Sequence, residues 1–563
     1  MNIILDKLRS FKFANLILFL IFATTIFLQC NFFADSLGLR TDVNVGIKIS
    51  IAIFISSFIF LFKGKSWIIW VSVFINIWGI SNLVYYRANA MLIDAYSVTM
   101  IGNMDGFWSS VPFYMNINDY ISFLFTLIAV IAYILFKNES KQIYGFLIAT
   151  VLSVIVHIVS CKVDNEESDV YNPFSLHHNT FLRWHMWDKV VYAQGTSIIH
   201  HLIYETNYFV GKIILKSSYE LTDSEKNNIN KFLNINSDTP KPKRPIFIVL
   251  LESFEGWALT SSSMPNLYEF AHSDNVLYAK KVVSQTRGGT SGDGQMIVNT
   301  GLLPTKEGAV CFRYHTNKFP SISELYDKTF NIIPGGNSVW NQGRMNLAYS
   351  INSSLEVGLG DILKCNDKTL VDIFKTNYKN YNYGMLLTVS THTPFEAVSS
   401  KSEMMTPDDM PIYLANYLKS FNYTDLSIKT IIDSIRKDEY LKQSVIVFTG
   451  DHTVFHKSQR ESFNDYCKRN NLPYDVNEGY TSFIMYSPDI EGNIVIEEEA
   501  YQMDIYPTIL NAIGCENYYW GGFGVNLLEE DFIKERKISA EEALELSDKI
   551  HQANYFKELF TSN

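Results

Sequence analysis

Cysteine is scarce, with six in 563 residues and no C-x-x-C among them. That excludes a disulfide-dense scaffold and a zinc-finger array. Cys30 and Cys161 sit in or beside apolar segments. Cys311, Cys365, Cys467 and Cys515 are far apart in the polar half, which leaves free thiols or one or two bridges open. Positive charge is also short: 47 Lys and Arg face 58 Asp and Glu, a formal net charge of -11. With no basic stripe, this excludes a general nucleic-acid binder. The chain is too long for one core, so two to four domains are expected.

Apolar residues are abundant, but mostly in the first part of the chain. Five long stretches stand out: about Phe13–Cys30, Gly46–Phe62, Trp67–Tyr86, Tyr120–Phe136 and Ile143–Cys161. Each approaches the ~20 residues that cross ~30 Å of hydrocarbon. The first is too long and uninterrupted for a cleaved signal, and more follow it. Lys7, Arg9 and Lys12 precede the first stretch, Lys63 and Lys65 follow the second, and Lys137 and Lys141 follow the fourth. The alternate loops hold only Arg40 and Arg87. This asymmetry puts the N-terminus in the cytoplasm and, after five crossings, the rest of the chain outside it. A re-entrant stretch would reverse that placement.

From Asn172 to Ile214 the chain is rich in aromatics. Trp184, Trp187, Tyr192, Tyr204, Tyr208 and Phe209 suit interfacial helices, with ordinary packing against the next domain as the alternative. The pairs His177–His178 and His200–His201 are no natural chelates, because helix neighbours point apart. A polar helix (LTDSEKNNINKFLN) and an extended SDTPKPKRP linker follow. The expected organisation is a membrane domain over 1–161, interfacial helices and linker over 162–244, a catalytic domain over 245–530 and a C-terminal amphipathic helix over 531–563. The run IEEEA, 496–500, reads as solvated surface.

Beyond Pro245 the pattern is α/β. Three apolar runs (IFIVLL, YGMLLTVS and SVIVFTG) read as strands of a mostly parallel sheet, buried on both faces. Each ends in a polar group: Glu252, His392, and the Asp451–His452 pair. Open α/β sheets bind ligands at those carboxyl ends. A lone strand-end Asp is often only a helix cap, and Asp361 and Asp367 read as loop or cap residues. Asp504 opens a helix, with an N-terminal role there. The stretch SQTRGGTSGDGQ, 284–295, favours neither helix interior nor central strand. With Thr290, the group Glu252, Asp451 and His452 offers three oxygens and one nitrogen, a set for a hard or borderline divalent ion such as manganese or zinc. The hydroxyl is the unusual ligand and therefore the candidate nucleophile.

These motifs form an ordered set: IVLLESFEGW, MPNLYEFA, QTRGGTSGDGQ, GGNSVWNQGR, STHTPF, NYTD, GDH and QMDIYPTIL. The chain resembles the lipoteichoic acid synthase-like phosphoglycerol transferases of the alkaline phosphatase/sulfatase superfamily. The resemblance implies a five-span α-helical membrane domain followed by an extracytoplasmic sulfatase-like α/β domain, in a bacterial cytoplasmic membrane. It implies one divalent metal on Glu252, Thr290, Asp451 and His452, typically manganese, with zinc or magnesium as alternatives. Thr290 is then the nucleophile, and Trp340, Arg344 and His392 line the pocket for the phosphoryl and glycerol groups. His392 and Arg344 join Thr290 as catalytic residues. The implied partners are a phospholipid donor, a glycan or glycolipid acceptor and the bilayer.

The chain departs from the family pattern at PGGN, 334–337, where a histidine is common, and at TVFHKSQ after GDH, where His456 is a candidate replacement for a group beside the site. A sulfatase proper needs a C/S-x-P-x-R block, which TSGDG lacks. Phosphoethanolamine transfer and phosphodiester hydrolysis on the same scaffold are the alternatives. A non-catalytic receptor is disfavoured, because no ligand or nucleophile position is lost.

Overall fold

The computed structural model describes residues 13–37, 45–89, 91–97, 100, 110–138, 140–163, 189–210, 219–234, 240–358, 365–477 and 479–557, with backbone only at 161–163 and 191. Contacts divide the chain into two compact units: Met1–Ala95 with Tyr114–Lys216, and Tyr96–Phe113 with Ser217–Asn563.

Among the described residues of the first unit, four helices are long and apolar enough to cross a membrane: Ala14–Ser36, Trp67–Asn89, Ile117–Phe136 and Ile143–Ser160. The second expected span is shorter than the hydropathy suggests. Its helix is Val45–Ser57, about 20 Å at 1.5 Å per residue. The Ser57 hydroxyl bonds the Phe54 carbonyl, and the amides of Ile59, Phe60 and Leu61 then bond three residues back. Serine back-bonding and a tightening last turn end the α-helix before the apolar run ends. Polar side chains tie the other helices together. Gln29 donates to Ser72 Oγ and Asn76 Oδ1, both at 2.9 Å. Arg87 forms a bidentate pair with the fully buried Asp119, at 2.6 and 2.9 Å. Such contacts hold helices where burial of apolar surface gives no driving force.

The helices Lys189–Gly195 and Ile198–Tyr208 belong to this unit. Tyr192 is buried, its ring 6.2 Å from that of Tyr204, so packing describes it better than exposure at an interface. Trp184, Trp187 and the His177–His178 pair lie outside the described residues.

The second unit is built on one eight-stranded sheet in the order β4-β3-β5-β1-β6-β7-β2-β8. The strands are β1 Ile246–Leu251, β2 Val276–Val283, β3 Thr329–Pro334, β4 Ser353–Val357, β5 Tyr383–Leu387, β6 Val445–Gly450, β7 Tyr480–Tyr486 and β8 Asn493–Tyr501. Only the pairings of β7 with β6 and β2 are antiparallel. The three strands expected from sequence are β1, β5 and β6. They lie side by side in parallel, and every residue of each is buried. IEEEA lies on the edge strand β8, with Ile496 and Ala500 buried and the glutamates between them exposed. Among the described residues five cysteines are free, all buried.

The C-terminal helix Ala540–Ala553 packs on this unit. Ser547 accepts the Leu303 amide, and Asp548 accepts the Thr305 hydroxyl and the Lys306 amide. His551 is buried, with Nε2 2.8 Å from the Leu303 carbonyl. Burial pushes its imidazole down to about 4. A folded-state value below the ordinary ~6.5 means that the neutral ring stabilises fully above pH ~6.5. That contribution is lost as pH falls toward 4, on the order of a few kcal/mol. Thermal unfolding of the full chain should therefore weaken across that window, and His551→Phe should flatten the slope.

Candidate active site

The site stands at the carboxyl ends of the three adjacent strands β5, β1 and β6. Glu252 follows β1 directly, and Asp451 and His452 follow β6. One ligand atom from each of the three lies within 4.8 Å of the others. His452 Nε2 is 3.6 Å from Glu252 Oε1 and 3.6 Å from Asp451 Oδ2. His452 Nδ1 lies 3.0 Å from the Thr453 carbonyl. That contact fixes the tautomer with the proton on Nδ1 and turns the Nε2 lone pair to the carboxylates.

The carboxylates are held from behind. Asp451 Oδ1 accepts the amides of Ser253 at 2.8 Å and His452 at 2.7 Å. Glu252 Oε1 accepts the Ser253 hydroxyl at 2.8 Å. Ser253 does this from a left-handed backbone, φ 56, which costs on the order of 1 kcal/mol and marks a constrained site. Asp451 Oδ2 is buried and, among the described residues, has no hydrogen-bond partner. Burial, and then the Glu252 charge beside it, push the Asp451 carboxyl up. Two crowded carboxylates, an imidazole lone pair and an orphaned oxygen are the donor set a divalent cation satisfies. The residues present fit such an ion.

Thr290 is the first residue of the helix Thr290–Thr300, half-buried, with φ 37. The helix reaches the site because it is rich in glycine. A Cβ at Gly294 would come 2.5 Å from the Asp451 carbonyl oxygen, so only glycine allows this approach. Asp293 turns its carboxylate back on the loop and accepts the amides of Arg287 at 3.0 Å and Gly289 at 2.9 Å. The Ser/Gly/Thr stretch is thus an ordered loop running into a helix.

The next residue, Ser291, is the hydroxyl that bonds the acidic group. Its Oγ is 3.2 Å from Glu252 Oε2 and 3.4 Å from His452 Nε2. Sequence reasoning passed over Ser291; its signal was the hydroxyl pair at the helix start. His392 follows β5 within electrostatic reach of Glu252. Trp340, φ 48, packs near Gly292: a Cβ there would lie 3.6 Å from Trp340 Cβ. Arg344 is exposed, and its guanidinium bonds His315 Nε2 at 2.8 Å. His456 caps the helix Lys457–Arg469.

Three buried carboxylates support the site from further away. Glu255 accepts both arms of Arg460 at 2.6 and 2.7 Å, the Trp257 indole N–H, and the amides of Val454 and Phe455 after His452. Asp504 accepts the Tyr501 and Val525 amides and pairs with Arg536. Between them Gln502 donates to the Gly450 and Asp451 carbonyls and accepts the Gln285 amide, joining the loop before Thr290 to the tip of β6. Asp367, read as a loop or cap residue, begins the helix Asp367–Asn377 and does more. It accepts the amides of Val389 and Ser390 at 2.7 and 3.0 Å and the Thr424 hydroxyl at 2.5 Å. These bonds anchor the segment that carries His392. Asp367→Ala should strand two buried amides and cost about 3 kcal/mol, with turnover falling more than tenfold; denaturant titration and turnover measure the two.

A phosphotransfer-type centre on the carboxyl ends of a mostly parallel sheet is the arrangement of a sulfatase-like α/β domain. The Sulfatase family model matches residues 301–515, and the Lipoteichoic acid synthase N-terminal domain model matches residues 1–209. A lipoteichoic acid synthase from Staphylococcus saprophyticus is 21% identical, over 93% of this chain and 86% of its own. Lipoteichoic acid synthase 2 of Bacillus subtilis is 22% identical, over 80% and 72%. The crystal structure of the lipoteichoic acid synthase LtaP from Listeria monocytogenes covers 60% of this chain and 98% of its own, at 18% identity and TM-score 0.45. The chain is a lipoteichoic acid synthase-like member of the alkaline phosphatase/sulfatase superfamily. It is a bacterial membrane protein and a phosphotransferase.

Proposed function

We propose that the protein moves a phosphoglycerol headgroup from a phospholipid to a glycan or glycolipid hydroxyl outside the cytoplasm, through a phospho-threonine intermediate. The observation that carries this reading is the convergence of Glu252, Asp451 and His452 beside the start of the Thr290 helix. We assign catalysis to 245–530, anchoring to 1–161, interfacial and linker roles to 162–244 and packing to 531–563. The loops with Lys63 and Lys65 and with Lys137 and Lys141 are taken as cytoplasmic.

Glu252, Asp451, His452 and Thr290 would hold one divalent metal, most simply manganese. When bound, that ion supplies positive charge to a deprotonated hydroxyl and to phosphoryl oxygens. Thr290 Oγ1 attacks phosphorus in line, and the P–O bond to diacylglycerol breaks. His392 gives a proton to the leaving alkoxide. Arg344 exchanges His315 for the phosphoryl oxygens, which its planar fork grips in pairs. Trp340 walls the glycerol. In the second half an acceptor hydroxyl attacks phosphorus, the Thr290 O–P bond breaks, and His392 recovers its proton from the acceptor.

The test is turnover of headgroup-labelled phosphatidylglycerol by the purified full chain, with and without a glycolipid acceptor. Label on the acceptor supports the reading. Glycerol phosphate released to water alone makes the protein a hydrolase. Turnover of phosphatidylethanolamine in place of phosphatidylglycerol changes the headgroup.

A further inference from the structure

Ser110 lies in the chain between two of the helices long and apolar enough to cross a membrane, 283 residues before the loop it touches. It immediately precedes the short helix Val111–Tyr114 and belongs by its contacts to the second unit. Its side chain is buried, as is that of Thr393. Ser110 Oγ donates to the Thr393 carbonyl at 2.8 Å and accepts the Thr393 hydroxyl at 2.8 Å. His392 Nδ1 is 2.8 Å from the same carbonyl. A carbonyl only accepts, so the proton of that contact sits on Nδ1, and Nε2 is the nitrogen left to exchange protons. The Thr393 carbonyl thus offers one lone pair to His392 and the other to Ser110.

On either side the loop is held from within 245–530. Thr391 Oγ1 donates to the Glu252 carbonyl at 2.5 Å, and Ser420 Oγ donates to the Phe395 carbonyl at 2.9 Å. At Thr393, between them, the two-way contact comes from Ser110. Ser110 is itself fixed. Three residues on, Phe113 is buried edge-on against Phe395 and Tyr413, and Gln459 Nε2 donates to the Phe113 carbonyl at 3.1 Å. A hydroxyl fixed in this way holds the carbonyl it meets, and the carbonyl holds the imidazole.

We infer that Ser110 is a positioning residue for His392, supplied from outside the stretch 245–530. The inference rests on His392 as the group that protonates the leaving alkoxide. In that step the P–O bond to diacylglycerol breaks and the Nε2 proton goes to its oxygen, while Nδ1–H stays on the Thr393 carbonyl. A general acid contributes about 10²- to 10⁴-fold, and a small misplacement forfeits part of that.

The experiment compares two donors on the purified full chain with manganese: phosphatidylglycerol, and the p-nitrophenyl ester of glycerol phosphate, whose leaving group departs without a proton. The second is read as the first-turnover burst of nitrophenolate. Thr290→Ala should silence both, which ties them to one site. Ser110→Ala should lower kcat for phosphatidylglycerol about tenfold with KM unchanged, and leave the nitrophenolate burst within twofold of wild type. That burst also shows that the variant is folded. Thr393→Val, which removes the hydroxyl donated to Ser110, should give a smaller loss of the same kind. The double variant should lose no more than Ser110→Ala, because the two changes break one network. His392→Gln should show the same selectivity more strongly. Equal loss on both donors by Ser110→Ala, or no loss on either, overturns the inference and leaves His392 in place. His392→Gln that turns over phosphatidylglycerol as wild type does, or loses both donors alike, removes His392 as the acid, and the role of Ser110 falls with it.

Discussion

Thr290→Ala should fold as wild type does and turn over phospholipid on the order of 10⁴-fold more slowly, the scale on which removal of a nucleophile is felt. The side chain is half-buried at the start of a helix whose position is fixed elsewhere, by Gly294 against Asp451 and by Asp293 on the loop amides. Alanine also relieves some of the cost of a β-branched residue at φ 37, so loss of folding is not an available explanation for loss of turnover. Ser291→Ala is the companion variant. It removes a hydroxyl bonded to Glu252 and His452 and should lower turnover about 10- to 100-fold, as loss of a group that orients ligands does. Trapping of wild type with phosphatidylglycerol should add the mass of glycerol phosphate to the Thr290 peptide. The same mass on Ser291, with Thr290→Ala still active, would move the nucleophile by one residue.

Asp451→Asn should abolish turnover by more than about 10³-fold and release the metal, while changing stability in opposite directions with and without it. Asparagine keeps an oxygen for the Ser253 and His452 amides, so the turn survives. What is lost is one of two charges crowded with Glu252 in a buried space. Without metal that crowding is unfavourable, because burial and the Glu252 charge disfavour an ionised Asp451, and its relief should raise the variant's stability above that of wild type. With manganese the order should reverse, because wild type alone gains ligand-linked stability. Melting curves in chelator and in excess manganese measure the pair of signs, and metal content by mass spectrometry accompanies them. The same sign in both conditions would remove Asp451 from the metal set.

Much of the centre was legible in sequence because strand tips are local signals. β1, β5 and β6 each read as a continuous apolar run, and each ended in the polar group that the structure places at the carboxyl end of the sheet. Ser291, Glu255 and Asp367 were not legible as parts of the site, because the partners that tie them to it lie 22 to 205 residues away. Asp367 looks like any helix start until the Val389 and Ser390 amides are seen on it. The short helix Val45–Ser57 escaped for a different reason: hydropathy records how apolar a run is, not where serines end the helix. Arg344 carries a motif, yet its guanidinium rests on His315 at the surface; sequence spacing does not encode a rotamer.

The segment Tyr96–Phe113 belongs by its contacts to the second unit, although in the chain it lies between two of the helices long and apolar enough to cross a membrane. Phe113 is buried against the rings of Phe395, Tyr413 and Phe455, at 5.3, 4.8 and 6.0 Å, and Ser110 bonds the Thr393 carbonyl next to His392. A water-soluble fragment cut at residue 217 therefore loses a plug as well as an anchor. It opens an aromatic socket beside the His392 loop, and that wound gives such a fragment a reason to aggregate or to work poorly even with every proposed ligand residue in place.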